Sequence, residues 1–448
     1  GPSNHNAICL ILPHKAMIGF DGGAIGADIY CDRTGVHGKT LDDCAKILDA
    51  LKDSENGYYD ERDPYTTNPR SSIIQSTFAS SLADDTTLPS LSKTRLGLIV
   101  ESLVYPSDSL TEKPIIDAAK AEIKKTLIKK LGATILQSDD PLWKQDPDFG
   151  NMNVGFRRAL AKLLPIFMPD ILFRLDHSGS PVFPEFAEAI KPTEFFPGRF
   201  FGTGTLDPID YMVALAEGII QPPSNLTIAS IQEQKLSNSF RFHISQYLLR
   251  RAADWKAAGF HEALDNWKIL NARSKFWGDD QRAAFKNWEE ISDPRNALDG
   301  RQGVNERIML RELLRRIDMM VLIENNLDAF VRLHTPWAPG IIGQPHQYDI
   351  KHNLRPESLY GPNAGLTEIL VPAGYVRSTY DPIFTLNDDA TKYVSKASNK
   401  KTKLDAPGLP FSLVFRSEPG TEDTLLKIAS SYEKASKRRI SPPNFGPI

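Results

Sequence analysis

The chain has 448 residues, enough for a sizeable buried core and, by length alone, for two or three domains. Hydrophobic residues make up 41% and charged residues 24%, the balance of a soluble globular protein rather than a disordered or fibrous one. A net charge of -3 leaves no electrostatic footprint for nucleic acid or an anionic membrane, and no apolar run reaches the roughly 18 residues of a membrane-spanning helix. The cysteines are Cys9, Cys31 and Cys44, an odd number without Cys-x-x-Cys spacing, which reads as buried free thiols rather than a disulfide framework or a zinc site.

Taken in chain order, the first feature is Ser3 with His14 and His37, the residues from which a Ser/His site could be assembled, although no acid is placed to orient either imidazole. Gly19, Gly22, Gly23 and Gly26 follow around Asp21 and Asp28; with no Lys-Ser/Thr behind them they read as a turn rather than a phosphate loop. The stretch DRTGVHGKTLDDCAKILDAL, residues 32–51, predicts a turn and then an amphipathic helix. Thr40 is its N-cap, Asp43 completes a capping box, and Leu41, Cys44, Leu48 and Leu51 share one face. Gly57, Asp60, Asp63 and Pro64 read as a solvated turn, since their spacing fits no calcium loop.

Residues 95–100 form a short apolar strand, and Pro114 opens a helix with Ile116, Ala119, Ile123 and Leu127 on one face. Gly132 ends that helix and residues 133–136 begin another strand, so the unit predicts a parallel βαβ crossover. The middle of the chain predicts helices, with Trp255, Trp267, Trp277, Trp288, Met309, Leu313, Ile317 and Met320 in core-like stripes. Asp148-Phe149-Gly150 is an isolated tripeptide without the other kinase motifs, and His261-Glu262 with Asp265 falls short of His-Glu-x-x-His. Toward the end comes a helix with Leu425, Ile428, Ala429, Tyr432 and Ala435 on one face.

Several of these stretches resemble, in order, the amidase signature enzymes. Asp32, Gly35, Lys39, Thr40, Leu41 and Asp43 fall in register with the segment that follows that family's nucleophilic serine, with Val36 where Pro is usual and Lys39 where Arg is usual. Asn6-Ala7-Ile8 is similar to its Asn-Gly-Val, while Leu10, His14 and Ala16 replace Gly, Thr and Gly. Thr335-Pro336, Val371-Pro372-Ala373-Gly374 and Gly408-Leu409-Pro410 resemble the later motifs, with Ser412 in place of a usual Gly, and the resemblance implies strands at 326–331, 369–374 and 408–413. Gly1-Pro2-Ser3 is similar to the end of the signature itself and equally to the remnant of a cleaved tag.

The resemblance implies an α/β fold, a mixed and mostly parallel sheet flanked by helices. Residues 1–140 and 321–448 would form two parts of the core and residues 141–320 a mainly helical insertion or cap. It further implies an amide-bond hydrolase whose Lys, bridging cis-Ser and nucleophilic Ser all lie upstream of Gly1, so that no catalytic residue is assigned within this chain. The expected companions are the upstream segment, as a companion chain or as part of one polypeptide, and a small-molecule amide, with a homo-oligomer allowed and no cofactor required. The true N-terminus would then not be seen, so that the lack of a visible leader carries no weight. The reading from another class is a catalytically inactive amidase-like binding or scaffold protein.

Overall fold

A computed structural model describes residues 2–15, 17–18, 33–52, 76–84, 90–104, 110, 112–139, 143–176, 178–195, 198–231, 240–260, 264–275, 282–283, 286, 290, 298–336, 338–339, 364–380, 383–386, 393–396 and 400–440. The glycine-rich turn at 19–28, the acidic turn at 57–64, Cys31, Trp277, Trp288 and His261-Glu262 fall outside these residues.

An eight-stranded sheet organises the molecule. Its strands are β1 (Cys9–Leu12), β2 (Val36–Gly38), β3 (Arg95–Leu98), β4 (Thr134–Gln137), β5 (Gly150–Asn151), β6 (Ala329–Leu333), β7 (Thr367–Val376) and β8 (Leu409–Ser417), in the spatial order β2-β1-β7-β8-β6-β3-β4-β5. β1 runs antiparallel to β2 and β7, β7 to β8, and β8 to β6, whereas β6, β3, β4 and β5 pair in parallel. Followed through those pairings, six of the eight strands point one way and only β1 and β8 oppose them, so the sheet is mixed and mostly parallel.

The helices are α1 (Leu41–Leu51), α2 (Lys113–Glu122), α3 (Phe156–Phe167), α4 (Pro208–Glu217), α5 (Phe240–Ala257), α6 (Leu298–Glu324) and α7 (Glu422–Ser436), with shorter turns between them. α1 starts where the sequence requires: Thr40 accepts from the Asp43 backbone N–H and Asp43 returns the bond to Thr40. Leu41, Cys44 and Leu48 are fully buried, but Leu51, at the last position of the helix, is 45% exposed. α2 carries Pro114 in its first turn and continues as a π-helical stretch, Ile123–Lys130, before Gly132 (φ 78) turns the chain into β4.

Both faces of the sheet are covered, as a mostly parallel sheet demands, and alternate residues divide between two cores. On β6, Ala329, Val331 and Leu333 join Ile369, Val371, Leu413 and Phe415 under α1, α2 and α7. Phe330 points the other way, into a second cluster with α3, α4 and the Leu313, Ile317 and Val321 face of α6. Met309 lies on the same helix but is 47% exposed, and Trp255 is 39% exposed beside Phe260, so neither is core; Trp267 is buried in a small satellite cluster with Ile244 and Leu248. Among the described residues no helix is long and apolar enough to cross a membrane.

The Pro-Ala-Gly and Gly-Leu-Pro stretches have a local explanation. Phe411 faces Gly374 and Ser412 faces Pro372, so Ala373 is the extra residue of a β-bulge. Gly374 has φ 152, and a Cβ there would lie 2.9 Å from the Phe411 ring.

Candidate functional site

The described residues gather their unusual chemistry in one place, a buried polar centre between the N-terminal turn Pro2–His5 and strands β1, β6, β7 and β8. Ser3 is buried, and its Oγ lies 2.5 Å from Nδ1 of the exposed His37 on β2. Asn4 is fully buried with neither amide atom partnered among the described residues, and Nε2 of His5 is likewise buried without a partner there. Burial holds His5 below the usual imidazole range. His334, at the end of β6, is driven well below it by burial and by Arg332.

Charge is built into the sheet face beneath. Nη2 of Arg332 on β6 contacts Glu368 of β7 at 3.1 Å, and Nε of Arg416 on β8 contacts Asp318 of α6 at 2.8 Å, with Arg416 and Glu368 directly opposed across β8 and β7. All four side chains are almost wholly buried. Burial dominates at Asp318, pushing its carboxyl up to about 7 against the pull of Arg416, with Glu368 adding to the rise. The Arg416 guanidinium also stacks 5.3 Å from the Phe330 ring and 5.9 Å from that of Phe156, the aromatic contact an arginine makes better than a lysine would.

A second acid sits at the first turn of α7. Glu422 Oε1 accepts from the His14 backbone N–H at 2.9 Å and from the Thr367 hydroxyl at 2.5 Å, and it lies 2.8 Å from His14 Nδ1. Burial pushes this carboxyl up, but His14 and the three bonds outweigh it and leave it below its ordinary value. Thr421, the residue ahead of the helix, turns its hydroxyl to the Glu418 carbonyl instead of capping. Arg33 is half-buried nearby, its Nη1 donating to the Pro13 carbonyl at 2.8 Å, and desolvation lowers it to about 10.

The three residues singled out from the sequence are therefore brought into one region but not into one relay. Ser3 bonds His37, while the buried acid Glu422 bonds His14. A serine attacking an amide needs a base that is itself oriented, plus donors aimed at the oxyanion. No such set is assembled among the described side chains, nor is a His/Cys/Asp/Glu group suited to a metal. Glu422, Glu368, Arg332, Asp318 and Arg416 were missed in the sequence; the signal was an arginine inside each of two apolar strands, AFVRL and LPFSLVFRS.

No protein-family model matches the sequence, and no curated protein is similar to it at a significant level. Solved structures do match. The peptide amidase PAM, in complex with the competitive inhibitor chymostatin, is 16% identical and aligns over 99% of this chain and 62% of its own, with a TM-score of 0.50. An amidase family protein from Bacillus anthracis is 14% identical over 99% of this chain and 56% of its own, with a TM-score of 0.48. A bacterial aryl acylamidase of the amidase signature family is 12% identical over 97% of this chain and 59% of its own, with a TM-score of 0.45. The chain thus spans 56% to 62% of the length of the first two. With a peptide amidase aligned over 99% of the chain at a TM-score of 0.50 and a mixed, mostly parallel eight-stranded sheet flanked by helices, the chain has the fold of the amidase signature enzymes.

Proposed function

We propose that this chain is the larger, C-terminal part of an amide-bond hydrolase acting on carbon-nitrogen bonds other than peptide bonds. Its Ser–cis-Ser–Lys centre would be carried by a segment upstream of Gly1, in a companion chain or in one polypeptide. The observation that carries the reading is the alignment of nearly the whole chain with 62% of a peptide amidase. In this reading residues 1–140 and 321–448 supply the core, and residues 141–320 cap the acyl and amine pockets. An amide is a poor electrophile, so the upstream lysine has to be desolvated enough to act as a neutral base, and the buried polar centre is the surface against which such a segment would lie. The unpartnered atoms of Asn4 and His5 are groups such a segment would satisfy.

A second reading, a catalytically inactive relative that binds rather than cleaves, is favoured by one observation: His14 stands where the family has Thr and is committed to Glu422. A serine-directed fluorophosphonate separates the two. Labelling of purified material, mapped by peptide mass to a serine upstream of Gly1, is the outcome expected of the hydrolase. A stable, monodisperse 50.0 kDa species that takes up no probe is the outcome expected of the binding protein.

A further inference from the structure

A cavity of about 320 Å³ opens at the C-terminal end of β7, between the start of α2 and the two-stranded ribbon of Ser378–Tyr380 with Lys401–Lys403. That volume is at the lower end of the range for small-molecule sites. Pro114, Ala118 and Val376 give it an apolar wall, and Tyr375 and Tyr380 add ring surface. The Tyr375 hydroxyl is already engaged, accepting from the Ile440 backbone N–H at 3.3 Å.

Its electrostatics are lopsided. Three cations line it, Lys113, Arg377 and Lys401, against the single carboxylate of Asp117, and that carboxylate is taken by Lys113 at 2.9 Å. Arg377 and Lys401 face no carboxylate among the described residues. The positive end of α2 lies here too, and Glu112, the acid just ahead of it, is buried away from the lining. The two cations are also held in place. Arg377 Nε donates to the Leu404 carbonyl at 3.3 Å, which among the described residues leaves its two terminal nitrogens for a ligand, and the ribbon sets Lys401 directly opposite Tyr380. Gly408 (φ 99) lets the chain pass against this point; a Cβ there would lie 2.1 Å from the Val376 carbonyl oxygen and 3.3 Å from Arg377 Cδ.

We propose that this cavity binds a small organic anion: a phosphate or carboxylate group held between Arg377 and Lys401, carried on a ring-sized apolar body that packs against Pro114, Val376 and Tyr380. A planar guanidinium matches the paired oxygens of either group, and a neighbouring ammonium adds a point charge. The inference does not rest on the amidase reading.

The test is isothermal titration calorimetry of the intact chain at low ionic strength with phenyl phosphate and, separately, benzoate; benzyl alcohol and inorganic phosphate are the controls. Saturable binding of phenyl phosphate or benzoate is expected, at least tenfold tighter than either control, and the stronger of the two identifies the anionic group. Arg377→Glu and Lys401→Glu should each weaken it tenfold or more, and added salt should weaken it in the wild type. Both residues are exposed, so the variants should keep the native circular dichroism spectrum; Arg377→Gln, with an expected loss of severalfold, serves where the charge reversal does not. Absence of saturable heat with both anions, wild-type affinity in an Arg377→Glu/Lys401→Glu double variant, or inorganic phosphate binding as tightly as phenyl phosphate would overturn the proposal.

Discussion

The two faces of the sheet solve the same burial problem with different chemistry. Under α1, α2 and α7 the strands present Val331, Leu333, Ile369, Val371, Leu413 and Phe415, an apolar layer that any well-packed set of similar volume could replace. On the opposite face, alternate positions of the same strands present Arg332, Glu368 and Arg416, closed by Asp318 from α6. Apolar layers gain stability from every buried area, whereas a buried ion pair roughly breaks even and stabilises only while both partners are present. The ion pairs are therefore poor at holding the fold together, which on this face is left to the apolar cluster of Phe330 with α3, α4 and α6, and good at fixing which helix sits where.

The largest effect should come from breaking that pair. Asp318→Ala leaves Arg416 buried without its acid and should cost about 3–5 kcal/mol in urea unfolding, while the double variant Asp318→Leu/Arg416→Met should recover most of it. If the single variant costs under 1 kcal/mol, on the order of a surface pair, the charged face is wetter than its burial indicates. The same carboxyl sets a pH dependence. With its folded-state value near 7 and an ordinary unfolded value near 4, Asp318 binds its proton more tightly when folded. Its contribution is thus fully present below about pH 4 and is lost as pH rises through 7. Unfolding free energies at pH 5 and pH 8 should differ less in Asp318→Asn than in wild type.

The apolar face should behave otherwise. Leu425→Ala removes a fully buried side chain of α7 and should cost about 2–5 kcal/mol, by the same amount at both pH values. Smaller again is Gly374→Ala at the bulge, where a φ of 152 and the Phe411 ring oppose a side chain; about 2 kcal/mol is expected from thermal unfolding. The smallest effect has the opposite sign. Ala7 has φ 50, a left-handed conformation that Gly adopts without strain, so Ala7→Gly should raise stability by about 0.5–1 kcal/mol.

Much of the frame was legible in the sequence. The capping box of α1 is local chemistry between Thr40 and Asp43, and the β3-α2-β4 crossover follows from apolar runs, a proline and a glycine at the right spacing. The left-handed backbone at Ala7, φ 50, was not legible there and came only from the structure. The candidate site was legible only in part. Ser3, His14 and His37 could be named, but their partners lie 34 residues apart for Ser3 with His37 and 408 for His14 with Glu422, separations that no local pattern encodes. Met309 and Trp255 misled because helical spacing identifies a stripe without saying whether anything packs on it.

The sequence by itself determined the elements whose causes are local: caps, helix faces, strand alternation and the order of strand and helix that makes the sheet mostly parallel. Only the tertiary structure decided which charges are buried, which acid meets which base, and that two cations at the end of β7 face no acid among the described residues. Periodicity reports what one element does with its own neighbours in sequence, whereas the pairing of charges depends on strands and helices brought together from opposite ends of the chain.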